Sequence, residues 1–217
     1  MSGKSVKAII FDMDGVLVNT EPHHLILEKK LFKRLGLEIN GQEHGNYLGL
    51  STIQMWLEIT KKYDLPQTPE ELTGKNREEI INYFSKLDVV ELMPGIWELL
   101  EKLNQKGIPL ALASASEAAV VELILSKTEL KKYFTHIVSL EAVGKSKPEP
   151  DIYLHTAKLL DVAPEECLVI EDSPNGIKAA KSANMICIAY SKDQNLADEF
   201  TDDFSEMQEI LKQYIKF

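Results

Sequence analysis

The sequence predicts an α/β protein: a Rossmann-like, doubly wound parallel sheet interrupted by an inserted bundle of helices. Two observations lead to this prediction. Short apolar runs alternate with segments of helical periodicity over most of the chain, as expected when helices cover both faces of a parallel sheet. Residues 18–88 break this alternation, because they carry helical patterns and no convincing strand.

Five apolar runs have the length and composition of buried strands. They cover residues 6–11, 110–113, 137–140, 167–170 and 186–190. Helical periods accompany the later runs: one follows Pro94 and ends near Gly107, and others cover 153–160, 177–183 and 207–214.

Three further helical periods, at about 22–35, 52–63 and 70–87, lie in the segment without strands. We therefore expect two domains. Residues 1–17 and 89–217 form a discontinuous core, and residues 18–88, here called the helical insert, form a cap over the sheet.

The formal net charge is −10 and the sequence pI is about 5.1. Such a surface repels nucleic acid phosphates and anionic lipids, so neither is an expected partner. No apolar stretch approaches the roughly 20 residues of a membrane span, and no signal-peptide core is present, which predicts a cytoplasmic protein. Cys167 and Cys187 fall in strand-like runs and are expected to be buried free thiols.

Polar residues gather where the predicted strands end. The loops that leave the carboxyl ends of parallel strands emerge on one edge of the sheet, where ligands bind. The residues placed on this edge are Asp12, Asp14, Ser114, Ala115, Ser116, Lys145, Lys147, Glu171 and Asp172. Four carboxylates, hydroxyl groups and lysines therefore converge on one cleft.

Four unpaired carboxylates in one cleft would repel one another, and burial would raise their pKa values. A divalent cation resolves this conflict, and a set of hard oxygen ligands favours Mg²⁺. A lysine can then neutralise a phosphate group as a point charge, and Ser114 can donate a hydrogen bond to it.

Asp12 and Asp14 are two residues apart, and side chains at this spacing in an extended segment share a direction. One carboxylate can attack phosphorus and form an acyl phosphate. The other can protonate the leaving oxygen and then remove a proton from the attacking water.

Four stretches in this order resemble the motifs of the haloacid dehalogenase superfamily. FDMDGVLVNTEP is similar to the first motif, ASAS to the second, KPEPDIY to the third and VIEDSPNGIKAAKSAN to the fourth. The resemblance covers nearly the whole chain. A carboxylate at Asp14, which the dehalogenases of the superfamily lack, disfavours haloacid chemistry.

The resemblance implies a role for each matched residue. Asp12 would be the nucleophile and Asp14 the acid/base. Mg²⁺ would be held by Asp12, by the backbone carbonyl of Asp14 and by Asp172, with Glu171 at or beside the metal. The phosphate-binding residues would be Ser114, Ala115 and Lys147, the last in preference to Lys145.

The helical insert resembles the cap of the beta-phosphoglucomutase, hexitol phosphatase and 2-deoxyglucose-6-phosphate phosphatase branch. By this resemblance His24 and Gly49 contribute to substrate binding. The mutase has a cap arginine for a second phosphate, and Thr52 stands at the matching position. Lys75 or Arg77 could replace it, although the sequence does not place either at the site.

The sequence thus predicts a Mg²⁺-dependent phosphatase that hydrolyses a small phosphomonoester through an aspartyl-phosphate intermediate. A sugar or sugar-alcohol phosphate is the expected substrate, and a monomer is the expected state. Three alternatives stay open: a beta-phosphoglucomutase-type phosphomutase, a phosphatase acting on pyrophosphate or a nucleotide, and a non-catalytic binding module that has kept the pocket. The complete set of carboxylates argues against the last.

Overall fold

A six-stranded parallel sheet forms the centre of the computed structural model, which describes residues 6–47, 50–192 and 196–215. Its spatial order is β3-β2-β1-β4-β5-β6. The strands are β1 (Ala8–Phe11), β2 (Leu110–Ala113), β3 (His136–Val138), β4 (Cys167–Glu171), β5 (Ile186–Tyr190) and β6 (Glu199–Thr201). In register, Ile10 of β1 lies between Ala111 of β2 and Val169 of β4.

Helices cover both faces of this sheet. They are α5 (Ile96–Gln105), α6 (Ala118–Thr128), α7 (Asp151–Leu160), α8 (Pro174–Ser182) and α9 (Phe204–Leu211), where α1 to α4 denote the helices of the insert. Successive strand residues point to opposite faces. Accordingly, Ile9 and Phe11 pack with apolar residues of α5, α6 and α9, whereas Ala8 and Ile10 pack with those of α7 and α8. The predicted doubly wound α/β fold is confirmed.

The strand predictions differ from the structure in two places. The run at 137–140 was placed too late, because β3 ends at Val138 and residues Leu140–Ala142 form a 3₁₀ turn. Strand β6 was not predicted: it has three residues, and its central Phe200 is 50 % exposed, so it lacks a buried apolar run. Cys167 and Cys187 are buried free thiols, as expected.

The helical insert contains α1 (Glu21–Arg34), α2 (Gly41–Gly45), α3 (Thr52–Tyr63) and α4 (Pro69–Ser85). Side-chain caps fix three of the starts. Asn40 and Ser51 accept hydrogen bonds from the first turns of α2 and α3, and Thr68 forms a capping box with Glu71 at α4. The five-residue helix α2 was not predicted, since it is too short for a helical period.

Two kinds of packing hold the insert in place. Leu31, Trp56 and Leu72 belong to an apolar cluster within the insert, whereas Ile80 and Phe84 of α4 join the cluster on the sheet. The two connecting segments also pair: Asn19 N donates to Glu91 O at 2.9 Å, and Met93 N donates to Leu17 O at 3.0 Å. The domain boundaries at 17/18 and 88/89 stay a prediction. Within the described part of the chain, no helix has the length and apolar character needed to cross a membrane.

Candidate active site

The ends of β1 and β4 and the loop after β3 bring three buried charged groups together. Lys147 Nζ donates to Asp12 Oδ1 and to Glu171 Oε1, both at 2.6 Å. Burial acts to lower the pKa of Lys147, but the charges of Asp12 and Glu171 outweigh it and raise that pKa. Lys147 is therefore held as a cation between two carboxylates, at the edge of the sheet where its motif placed it.

Glu171 is surrounded by donors. Its Oε1 accepts from Lys147 Nζ and from the Tyr153 hydroxyl at 3.1 Å, and its Oε2 accepts from Ser173 N at 2.8 Å and Ser173 Oγ at 3.0 Å. Gly176 makes room for this carboxylate, because a Cβ at that position would lie 1.6 Å from Glu171 Oε1. Four donors occupy the roughly four acceptor sites of a carboxylate.

Asp12, Glu171 and Asp172 form an acidic cluster, in which each offers a carboxylate oxygen within 4.8 Å of the others. Burial raises the pKa of Asp12 to about 7, against the opposing charge of Lys147. Burial and the charges of Glu171 and Asp12 also raise the pKa of Asp172 well above its usual value. With one lysine against three carboxylates, the site has an excess of negative charge and an all-oxygen donor set, which fit a hard divalent cation.

Asp14 takes its partners from a different set of residues. Its carboxylate accepts from the Thr20 hydroxyl and from Ser116 Oγ at 2.9 Å, and His24 Nε2 lies 3.4 Å from Asp14 Oδ1. Burial acts to raise the pKa of Asp14, but His24, Thr20 and Ser116 outweigh it and lower that pKa. Thr20 and Ser116 thus occupy both carboxylate oxygens of Asp14, so only its backbone carbonyl would be left for the metal role that the resemblance implies.

Of the remaining predicted residues, some lie at the cavity and others lie away from it. Ala115 lines the cavity beside Asp12, and Ser114 is buried, with its Oγ accepting from Ser116 N at 3.0 Å. Lys145 is exposed, with its Nζ 3.6 Å from Asp151 Oδ1. Gly49 lies outside the described residues.

A cavity of about 440 Å³ opens from these groups towards the helical insert. Asp12, Asp14, Lys147 and Asp172 line one end of it. The insert supplies further polar lining residues, namely Glu21, His24, Glu28, Lys29, His44, Tyr47, Thr52 and Arg77. The cavity is thus lined both by residues at the carboxyl ends of the strands and by residues of the helical insert.

Two partners of the site residues were not assigned from the sequence. Thr20 precedes Glu21-Pro22, so its hydroxyl has the position of a helix cap, but it bonds Asp14 and makes no side-chain cap bond to α1. Tyr153 was predicted only as a residue of an apolar helix face. No feature of the sequence reveals that the Tyr153 hydroxyl donates a hydrogen bond to Glu171.

Comparisons with known proteins agree with this geometry. The family model of haloacid dehalogenase-like hydrolases matches residues 9–190. Beta-phosphoglucomutase of Bacillus subtilis is 33% identical over 195 residues, which are 87% of this chain and 85% of that protein. Hexitol phosphatase B of Escherichia coli K12 is 33% identical over 189 residues, 84% of this chain and 82% of that protein. A crystal structure of beta-phosphoglucomutase from Clostridium difficile has a TM-score of 0.87 at 26% identity, covering 96% of this chain and 97% of that one.

Proposed function

The chain belongs to the haloacid dehalogenase-like hydrolase family, and on this premise we propose that it is a Mg²⁺-dependent phosphatase of small phosphomonoesters that works through a phosphorylated Asp12. It is an enzyme, a phosphoric monoester hydrolase. The observation that carries the finer proposal is the joining of Asp12 to Lys147 and to the acidic cluster in one cavity.

Asp12 is the nucleophile in this proposal. Its carboxylate attacks phosphorus, the bond between phosphorus and the leaving oxygen breaks with its electron pair, and an acyl phosphate forms on Asp12. Water then attacks the same phosphorus, which releases inorganic phosphate and restores the carboxylate. Lys147, at 2.6 Å from Asp12 Oδ1, orients the nucleophile and offsets the negative charge of the transferring group.

Asp14 moves the protons. It donates one to the leaving oxygen and takes one back from the attacking water. Its lowered pKa favours the ionised form, which suits the second step. A phosphate group arriving nearby adds negative charge, which raises the pKa of Asp14 and favours the protonated form that the first step needs.

Asp12 and Asp172, with the backbone carbonyl of Asp14, would hold Mg²⁺, which when bound supplies positive charge to the phosphoryl oxygens. Glu171 already accepts from four protein donors, so in this proposal it lies beside the metal and fixes Lys147 and Ser173.

A sugar or sugar-alcohol phosphate is the proposed substrate class. Two named relatives act, by their names, on phosphoglucose and on hexitol phosphates. The cavity of about 440 Å³ has room for a leaving group of that size next to the phosphate.

The test is phosphate release from p-nitrophenyl phosphate and from a panel of phosphorylated sugars, polyols, nucleotides and pyrophosphate. We expect turnover with Mg²⁺ and none with EDTA. When the protein reacts with a ³²P-labelled substrate and the reaction is quenched with acid, we expect the protein to carry an acid-stable radiolabel. Turnover that survives EDTA, or a label that persists in Asp12→Asn, would contradict the mechanism.

A phosphomutase is the second candidate, and Arg77 is the observation that favours it. This cation lines the cavity from α4, where a second phosphate could lie. Its Nη1, however, donates to Glu117 Oε2 at 2.7 Å, so its charge is already paired. A coupled assay with beta-glucose 1-phosphate separates the candidates, since conversion to the 6-phosphate without phosphate release would establish the mutase.

A further inference from the structure

One face of α1 lines the cavity over two helical turns. Glu21, His24 and Glu28 recur at spacings of three and four residues, which places them on the same side of the helix. His24 marks the reacting end, because its Nε2 lies 3.4 Å from Asp14 Oδ1. Glu28 follows four residues later, about 6 Å further along the helix axis. Glu28 therefore lies about one helical turn away from the end of the cavity that holds Asp14.

Glu28 is paired with His44 of α2 at this far end. His44 Nε2 lies 2.5 Å from Glu28 Oε2, and the two side chains are only 8% and 13% exposed, respectively. Phe32 packs edge-on against His44 with 5.9 Å between ring centroids, which helps to fix the imidazole. Both members of the Glu28–His44 pair line the cavity that the substrate would enter.

The chemistry of this end of the cavity selects among leaving groups. A carboxylate accepts hydrogen bonds through about four lone-pair positions, and His44 occupies one of those of Glu28. A hydroxyl group of the leaving group can donate to one of the positions that remain. Lys29, the next residue of α1, also lines the cavity but is exposed to solvent. Leu25, Leu50 and Met55 add apolar lining that suits the carbon chain carrying such hydroxyls.

We propose that the Glu28–His44 pair recognises hydroxyl groups of the leaving group, and so sets the preference of the enzyme for a polyhydroxylated leaving group over an apolar one. Glu28 accepts directly from a substrate hydroxyl. His44 acts through Glu28 as a positioning residue. This inference rests on the proposed phosphatase function, because it concerns the leaving group of that reaction.

The test compares two substrates that differ only in hydroxyl groups, sorbitol 6-phosphate and n-hexyl phosphate. We expect the wild type to prefer sorbitol 6-phosphate in kcat/KM. Glu28→Leu should lower this preference by about 100-fold and Glu28→Gln by about tenfold, since a site built to bond a hydroxyl discriminates strongly against its absence. Glu58→Gln, at an exposed position of α3, is the matched control and should leave the preference unchanged.

His44→Asn should raise the KM for sorbitol 6-phosphate more than it lowers kcat, and should leave the KM for hexyl phosphate near its wild-type value. A merely structural role would instead affect both substrates alike. Turnover of hexyl phosphate by each variant also reports that the variant is folded and that its chemistry is intact.

Three outcomes overturn the inference. One is a preference that Glu28→Leu leaves unchanged, and another is a wild type that turns over hexyl phosphate faster than sorbitol 6-phosphate, mannitol 1-phosphate and glucose 6-phosphate. Both leave the phosphatase proposal standing. The third, a wild type that hydrolyses no phosphomonoester at all, removes the proposed function together with the inference.

Discussion

The two walls of the cavity are built in different ways. On the sheet side, Asp12, Lys147 and Glu171 are buried and joined by hydrogen bonds of 2.6 Å, and their positions follow from the ends of parallel strands. On the insert side, the polar residues come from helices. The Glu28–His44 pair is largely buried there, whereas the Arg77–Glu117 pair is partly exposed to solvent. Under the proposed function this difference corresponds to two tasks: the sheet would fix the reacting groups, and the helices would distinguish one leaving group from another.

The largest effect is expected at the nucleophile. Asp12→Asn replaces the nucleophilic carboxylate with a neutral amide of nearly the same shape, so kcat should fall by about 10⁴-fold or more. Circular dichroism should show an unchanged fold. Asp88→Asn, at an exposed position after α4, is the control and should retain full activity. Appreciable turnover by Asp12→Asn would show that the two walls do not divide the tasks in this way.

The next effect is expected at the buried cation. Lys147→Met leaves Asp12 and Glu171 without the ammonium group that lies between them, which should lower the free energy of unfolding by about 3–5 kcal/mol. The variant also lacks the positive charge that offsets the phosphoryl group during transfer, so kcat should fall by about 10²–10³-fold. Urea denaturation and steady-state kinetics measure the two effects.

Lys145→Met is the matched control. Lys145 is a second lysine of the same loop, but it is exposed, and its Nζ makes only a loose surface ion pair, 3.6 Å from Asp151 Oδ1. Removing such a surface pair should change stability by less than about 1 kcal/mol. Equal losses in the two variants would show that the lysine of the third motif had been misassigned.

A smaller effect concerns pH and the metal. Burial raises the pKa of Asp12 from its usual 3.8 to about 7, so between these values the folded protein holds a proton that the unfolded chain has lost. The contribution of Asp12 to metal-free stability should therefore fall as pH rises from about 4 to 7, and the difference in stability between the wild type and Asp12→Asn isolates it. Mg²⁺ competes with that proton, so it should stabilise the protein more at pH 8 than at pH 5.

Thermal unfolding with and without Mg²⁺ measures this difference. At ten times the dissociation constant the gain at pH 8 should be about 1.4 kcal/mol. The same shift at both pH values, or none at either, would mean that the acidic cluster does not bind the ion.

The sequence predicted the sheet wall better than the insert wall, for a physical reason. Strand ends are set by apolar runs, and every parallel strand brings its carboxyl end to one edge, so Asp12, Lys147 and Asp172 could be placed together. Helical periodicity predicts which residues share one face of a helix, but it does not predict which other residues that face contacts. The partner of Glu28 therefore stayed hidden, because His44 lies on the five-residue helix α2, which has no periodicity of its own.

The smallest effect is expected at Arg77, which no feature of the sequence placed in the cavity. Because its guanidinium is paired with Glu117 and about half exposed, a substrate with a single phosphate does not require it. Arg77→Met should change kcat/KM for sorbitol 6-phosphate by less than about threefold, a limit close to the weak contribution of exposed ion pairs. Arg34→Met, which removes another partly exposed cation of the insert, gives the baseline. A loss above tenfold in Arg77→Met alone would place a second substrate anion on the insert wall, and that wall would then share in the phosphoryl chemistry that we assign to the sheet.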